Sequence, residues 1–176
     1  MAEFNSAENL NMNLAENLST DVMTGGLDER MFLYFRLSGS MKKADGVDII
    51  VSFLMESGVK MILKDLDQAL QRGAKIRILT GNYLGITQPS ALYLIKRKLG
   101  DQVDLRFYND PKRSFHPKAY MFHYATYSEM YIGSSNVSRS ALTSGIEWNY
   151  RFNSKTDPES YQKFYETFED LFEHHS

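Results

Sequence analysis

The chain alternates between stretches whose apolar residues recur at helical spacing and short runs that are rich in β-branched residues. Helical spacing with flanking glycine or proline predicts helices, and β-branched runs predict strands. The predicted helices cover about 27–43, 59–72, 89–100 and 157–174, and the predicted strands cover 47–54, 75–81, 103–108, 118–124, 130–133 and 147–152. This order predicts an α/β fold in which a mixed β-sheet is flanked by helices.

Three of these elements carry a prediction about burial. The run VDIIVSFL at 47–54 is almost entirely apolar, so we expect a strand that is buried on both faces. The run VDLRFY at 103–108 alternates, so we expect one buried face. The last helix starts at Asp157-Pro158, a favourable cap and first position, and its wide aromatic stripe predicts packing on the sheet.

The first 25 residues differ from the rest of the chain. They are polar and rich in asparagine, and they repeat AENL at 7–10 and at 15–18. We expect a weakly ordered tail over 1–25 and one domain over 26–176, because 176 residues suffice for a single buried core.

Composition narrows the class of protein. A hydrophobic fraction of 43% argues against disorder. No apolar run approaches the ~18 residues that a membrane span needs, and the N-terminus lacks the basic start and apolar stretch of a signal peptide. We therefore expect a cytoplasmic protein without a membrane partner. The absence of cysteine excludes disulfides, thiolate nucleophiles and cysteine-based zinc sites.

Charge is distributed unevenly, although the net charge is only −2. Residues 30–156 hold 19 of the 20 lysines and arginines against 10 acidic residues, and both flanks are acidic. Ordinary solvation explains any single cluster, but the segregation as a whole suits a polyanion such as nucleic acid. The clusters are Arg72/Lys75/Arg77, Lys96-Arg97-Lys98 and Lys112-Arg113.

The stretch SFHPKAYMFH at 114–123 contains two of the four histidines of the chain. Side chains alternate along a strand, so His116 and Lys118 project from one face and His123 projects from the other. Pro117 cannot donate a ladder hydrogen bond, which places the pair at the beginning or edge of the strand. Sites in α/β folds are usually located at strand ends.

A second informative run is GSSN at 133–136, which closes the strand 130–133 with small and hydrogen-bonding residues. Such a turn can bring hydroxyl and amide groups toward an anion, so Ser134, Ser135 and Asn136 are candidate phosphate ligands. Glu147 follows as a carboxylate entering an aromatic strand. Taken singly, these features are also what a plain turn and a surface strand residue look like.

Together, the four residue types match the needs of phosphodiester cleavage without a metal. An imidazole attacks phosphorus to give a phosphohistidine, while a lysine and an amide neutralise and orient the nonbridging oxygens. A carboxylate on the other imidazole nitrogen fixes the tautomer. The candidate catalytic residues are His116, Lys118, Asn136 and Glu147.

The spacing His-x-Lys, Gly-Ser-x-Asn, Glu resembles the phospholipase D superfamily, and is more similar to its single-motif nucleases than to its two-motif lipases. More closely, FYNDPKRSFHPKAYMF with IGSSNVSRSALTSGIEWNY resembles the module found ahead of a helicase in some bacterial restriction- or defence-type proteins. The resemblance covers about 45–152, and His123 stands where the superfamily motif has aspartate.

The resemblance implies a metal-independent nuclease without a cofactor, DNA as the expected nucleic acid, and a C-terminal helicase domain in a longer protein. The family chemistry needs two histidines, one as nucleophile and one to protonate the leaving oxygen. This chain offers one His116, so we expect a homodimer in which two copies of the motif meet. Lys112, Arg113 and Arg139 are the expected nucleic-acid contacts.

Other functions stay open. A non-catalytic module could keep the anion pocket and hold nucleic acid. The presence of His123 in place of the motif aspartate favours that alternative. A phospholipase or headgroup transferase could use the same phosphohistidine, but the stripe of the last helix lies on an acidic helix, which anionic lipid would repel. The sequence shows no pattern of metal ligands, because Asp65 and Asp67 are two residues apart on a predicted helix and their side chains point in different directions. No Walker-type loop occurs.

Overall fold

The structure is a computed structural model, and it describes residues 21–26, 28, 32–110 and 112–176. Within these residues the chain forms a seven-stranded sheet and five α-helices. The strands are β1 (Val22–Met23), β2 (Gly46–Val51), β3 (Lys75–Thr80), β4 (Val103–Phe107), β5 (Lys118–His123), β6 (Ser128–Gly133) and β7 (Asn149–Asn153). The helices are α1 (Leu33–Met41), α2 (Glu56–Gln71), α3 (Pro89–Leu99), α4 (Arg139–Leu142) and α5 (Pro158–His174).

The sheet is mixed, as the order of elements predicts. Its strand order is β1-β7-β6-β5-β2-β3-β4. The strands β2, β3 and β4 are parallel and are joined through α2 and α3, whereas β5, β6, β7 and β1 pair in antiparallel fashion. The α/β fold class is therefore confirmed.

Two hydrophobic clusters lie on opposite faces of the sheet. The first joins α1, α2 and α3 to strand residues such as Ile49, Ile78 and Tyr120. The second joins Phe168 and Phe172 of α5 to strand residues on the other face. Every residue of β2 is buried, which confirms the expected central strand, and α5 packs on the sheet behind its Asp157 cap.

The register between β2 and β5 fixes where their ends meet. Val51, the last residue of β2, pairs with Lys118, the first residue of β5. Val51 also pairs with Thr80 at the end of β3. The carboxyl ends of two parallel strands therefore lie beside the amino end of β5, at the edge where α/β proteins usually bind ligands. Pro117 immediately precedes β5, as predicted.

Some details differ from the sequence-based expectations. Phe107 was expected on a buried face of β4, but its side chain is 39% exposed because it lies at the strand end. Val22 and Met23 pair with β7, so the sheet begins before the boundary that the polar composition suggested at residue 26. The repeat at 7–18 lies outside the described residues. Every helix in the described part of the chain is too short or too polar to span a bilayer.

Candidate active site

The predicted site lies at one end of the sheet, where β2 and β3 finish and β5 begins. Lys118 is the first residue of β5, and it points to the same face as Tyr120 in the first hydrophobic cluster. Gly133 at the end of β6 and Asn149 at the start of β7 continue this row across the sheet. The motif residues, distant in sequence, thus meet at one edge.

His116 and Lys118 are in direct contact. The Lys118 ammonium lies 3.0 Å from Nδ1 and 3.1 Å from Nε2 of the His116 imidazole, and it donates to the His116 carbonyl oxygen at 2.9 Å. Lys118 is buried, whereas His116 is exposed. A buried cation therefore lies against an imidazole that a substrate can reach.

The electrostatics of this pair favour a neutral imidazole. Loss of solvent and then the charge of Lys118 lower the pKa of His116. Burial also lowers the pKa of Lys118, and the Glu147 carboxylate opposes that change. A neutral imidazole keeps the nitrogen lone pair that nucleophilic attack requires.

The side-chain oxygen of Asn136 holds this residue at the same edge of the sheet. The Phe53 backbone N–H, just beyond β2, donates to Asn136 Oδ1 at 3.2 Å. Val137 then forms a parallel bridge to Leu54, which fixes the turn against the β2 end. With the oxygen of the amide so engaged, the Nδ2 donors are the end that can serve an anion.

Glu147 lies near Lys118, but its hydrogen-bond partner differs from the one its catalytic role suggested. It accepts a short hydrogen bond from the Ser134 hydroxyl, and the Trp148 backbone N–H donates to the same Ser134 oxygen at 3.0 Å. Gly133 permits this approach of β6 to β7, because a Cβ there would lie 2.1 Å from the Trp148 carbonyl oxygen. Within one chain, Glu147 is therefore oriented by Ser134.

Ser135 does not face the site. It is 0% exposed, its hydroxyl donates to the Ala141 carbonyl oxygen at 3.2 Å, and it accepts from Asn149 Nδ2 at 2.9 Å. Its role is to tie the turn to α4 and β7, which corrects its assignment as a phosphate ligand. Ser134 is the exposed serine of the pair.

The basic clusters divide into two kinds. Lys112 and Arg113 are exposed on the loop that leads into β5, and Arg139 is exposed at the start of α4. Arg77 is paired within the protein, because it donates to both Asp48 carboxylate oxygens at 2.7 Å and to the Glu169 carboxylate at 2.7 Å. These carboxylates raise the pKa of Arg77. The charge of Arg77 is therefore already paired and does not attract an external polyanion. The expected basic cluster at 72–77 is left with Arg72 and Lys75.

His123 lies on the opposite face from Lys118, as the alternation predicts. Its Nε2 is 2.7 Å from Asp48 Oδ2, its Nδ1 is 3.0 Å from the Ser128 hydroxyl, and its ring contacts Tyr165 of α5. Burial would raise the pKa of Asp48, but hydrogen bonds from His123 and Arg77 outweigh it and hold that pKa low. His123 thus belongs to a partly exposed polar network around the buried Asp48, next to α5 and at the far end of β5.

Two side chains near the motif were not identified from the sequence. The Tyr83 ring packs on the His116 ring with centroids 4.4 Å apart, and the Ser52 hydroxyl donates to the Pro117 carbonyl oxygen at 3.3 Å. Ser52 directly follows β2 and Tyr83 comes three residues after the end of β3, and this position is the one signal that could have marked them. Within the described ranges, no three His, Asp or Glu side chains are grouped so as to hold a metal ion.

Comparisons with known proteins agree with this geometry. The family model described as "Cardiolipin synthase, PLD-like domain" matches residues 39–174. A search of curated protein sequences finds no significant match.

Solved structures share the fold at low sequence identity. The phospholipase D family member Nuc from Salmonella typhimurium has a TM-score of 0.56 and 18% identity, over 76% of this chain and 84% of that one. NucT from Helicobacter pylori has a TM-score of 0.55 and 14% identity, over 74% of this chain and 82% of that one. Phosphatidylserine synthase from Haemophilus influenzae has a TM-score of 0.55 and 11% identity, over 80% of this chain and 35% of that one.

The single motif at the start of β5 and the mixed sheet around it thus occur together with a family match over most of the sequence. The chain belongs to the phospholipase D-like family.

Proposed function

We propose that this protein is a metal-independent phosphodiesterase that cleaves nucleic acid through a phosphohistidine, at a site completed by a second copy of the chain. The observation that carries the proposal is the contact of the buried Lys118 ammonium with the accessible His116 imidazole at 3.0 and 3.1 Å. This pair supplies a nucleophile and a charge for a phosphate oxygen in one place.

The reaction has two balanced steps. A ring nitrogen of His116 attacks phosphorus, the bond to the leaving oxygen breaks, and a second histidine donates the proton that the leaving oxygen takes. Water then attacks phosphorus, the phosphorus–nitrogen bond breaks, and the second histidine takes the proton from water. Lys118 and the Asn136 amide stabilise the charge that develops on the nonbridging oxygens.

The second histidine must come from outside this half-site. His123 lies about 17 Å along β5 from Lys118 and points to the other face. His174 is the exposed last residue of α5, and the ring of His175 lies beside Asp170 of that helix. A homodimer that brings two copies of His116 together across a two-fold axis supplies the missing group. The alignment with this protein covers more than four-fifths of the Nuc and NucT chains. Chains of similar size therefore form the same fold.

Nucleic acid is the substrate that the charge distribution favours. Lys112 and Arg113 are exposed on the loop before the motif, and Arg139 is exposed at the start of α4. Phosphate contacts of this kind position a nucleic acid without reading its sequence. The resemblance implies DNA as the nucleic acid and a helicase domain in a longer protein, and both stay predictions. A purely binding role also stays a prediction, because His123 occupies the position of the motif aspartate.

A phospholipid is the second candidate substrate, and one cavity favours it. A space of about 360 Å³ beside His116 and Pro117 has largely apolar walls, which include Met130, Phe164 and Phe168. An acyl chain would suit such walls, whereas a nucleotide would not. Comparing cleavage of phosphatidylglycerol vesicles with cleavage of oligonucleotides separates the two substrates.

Cleavage should be independent of metal and should require His116. In EDTA, the wild type should cleave oligonucleotides, and His116→Ala should lower the rate at least about 10³-fold because the nucleophile is lost. His123→Gln is the matched control, since it removes a histidine of the same motif that lies outside the half-site, and it should keep most of the activity. Cleavage that appears only with an added divalent cation would contradict the proposed mechanism.

The pH dependence should report the lowered pKa of His116. Since the neutral imidazole attacks, kcat/KM should fall on the acid side with an inflection below about 6.5, the ordinary histidine value. Lys118→Met removes a neighbouring charge and should move that inflection upward, while Lys118→Arg should keep it low. An inflection that Lys118→Met leaves in place would show that another group controls the acid limb.

The composite site requires a dimer. Sedimentation at micromolar concentration should detect the dimer, and specific activity should fall on dilution as the two half-sites separate. A species that stays monomeric both alone and with DNA, while retaining full activity, would rule out the two-histidine site.

A further inference from the structure

A cavity of about 400 Å³ lies next to His116, beyond the ends of the parallel strands β3 and β4. Its walls include Asn82, Tyr83, Phe107, Asn109 and Arg113. Tyr83 places the cavity beside the nucleophile, because it lines the cavity and its ring also packs on the His116 ring with centroids 4.4 Å apart. A group attached to a phosphorus held at His116 can therefore reach this space.

The backbone around the cavity is specially shaped. Leu84 adopts φ +52° in the short 3₁₀ turn 83–85, although it is not glycine and its side chain is 79% exposed. Such left-handed conformations are uncommon for residues other than glycine, and strained ones are enriched at functional sites. Gly81 has a matching role, since a Cβ there would lie 2.7 Å from the Phe115 ring. Phe115 can thus pack on Tyr108 with centroids 4.5 Å apart beneath the cavity.

The chemistry of the walls matches a planar heterocycle. Tyr83 and Phe107 offer aromatic surfaces, and the side chain of Phe107, at the end of β4, is 39% exposed. The side-chain amides of Asn82 and Asn109 each offer a donor and an acceptor, as the edge of a base requires. Arg113 adds a cation that can stack on a base or meet an adjacent phosphate, and the Asp110 carboxylate beside it in the wall accepts a hydrogen bond from the Lys112 backbone N–H at 2.9 Å. An acyl chain would find these amides and this charge unfavourable.

We propose that this cavity binds one unpaired nucleobase next to the scissile phosphate, so that the protein acts on single-stranded nucleic acid; this inference rests on the proposed function. The volume lies near the lower end of the ~300–1,000 Å³ range of small-ligand sites, which suits one nucleoside. A base in a duplex is paired and stacked, and it enters such a cavity only after unpairing.

The test combines removal of a base with removal of a cavity wall. Short labelled single strands carry either every base or one tetrahydrofuran abasic residue, and cleavage is measured at the linkages next to that residue. The wild type should cleave the base-bearing linkage about tenfold faster than the abasic one, as expected for one stacked base. In Phe107→Ala this ratio should fall toward one, and the duplex form should be a poorer substrate for the wild type.

Two further variants make the result specific. Tyr93→Ala is the matched control, because Tyr93 is an exposed aromatic beside Arg97 on α3 and does not line the cavity. It should leave the ratio at its wild-type value. Asn82→Ala, at an exposed position, provides a second wall variant should Phe107→Ala fail to give a cooperative thermal unfolding transition.

The outcomes separate this inference from the proposed function. Equal rates on base-bearing and abasic linkages, or equal rates on duplex and single strand, would overturn the inference while cleavage itself upheld the proposed function. If no oligonucleotide is cleaved, the proposed function fails, and binding of a single strand containing 2-aminopurine tests the cavity. Quenching that is lost in Phe107→Ala would then support the base subsite, and no quenching would overturn it.

Discussion

The antiparallel pairing of β5 with β2 determines the position of the site. Because Val51 pairs with Lys118, the amino end of β5 lies beside the carboxyl ends of two parallel strands. A slip of one residue would turn Lys118 to the face that α5 covers and would separate it from the Asn136 turn. The pattern of burial opposes such a slip, since Tyr120 and Phe122 are fully packed in the first hydrophobic cluster. The register of one strand pair therefore determines both the core and the chemistry.

The same register gives the two histidines of the motif different environments. His116 lies before the strand, exposed and in contact with a buried lysine, whereas His123 lies at the strand end in the network of Asp48 and Arg77. A buried charge such as Asp48 is stable only when it has partners, and here Asp48 is hydrogen-bonded to both His123 and Arg77. The histidine at the motif aspartate position thus acts in the packing of α5 on the sheet. It is not in contact with the half-site.

Local sequence patterns predicted much of this architecture. The order of helices and strands, the complete burial of β2, the Pro117 start of β5 and the opposite faces of Lys118 and His123 follow from periodicity and from proline chemistry. These properties depend on residues that are close together in the sequence, so the sequence alone is enough to predict them. The proposed catalytic residues His116, Lys118, Asn136 and Glu147 were also selected from the sequence, because the spacing of their residue types indicated a chemistry; their roles stay a prediction.

What the sequence did not reveal depends on contacts between distant segments. The burial of Ser135 results from its bonds to Ala141 and Asn149, and the role of Arg77 results from Asp48 and Glu169 on other elements. For Tyr83 the only signal in the sequence was its position after β3, because its packing on His116 joins loops that are remote in the chain.

The central claim is that His116 forms a covalent bond to phosphorus, and direct identification of that bond is the most decisive test. A single-turnover reaction in EDTA, quenched in alkali to preserve a phosphoramidate, would be digested and analysed by peptide mass spectrometry. The account predicts a nucleotide or phosphate adduct on the peptide that contains His116, located on that imidazole. Product formed without an adduct, or with an adduct on another residue, would contradict it.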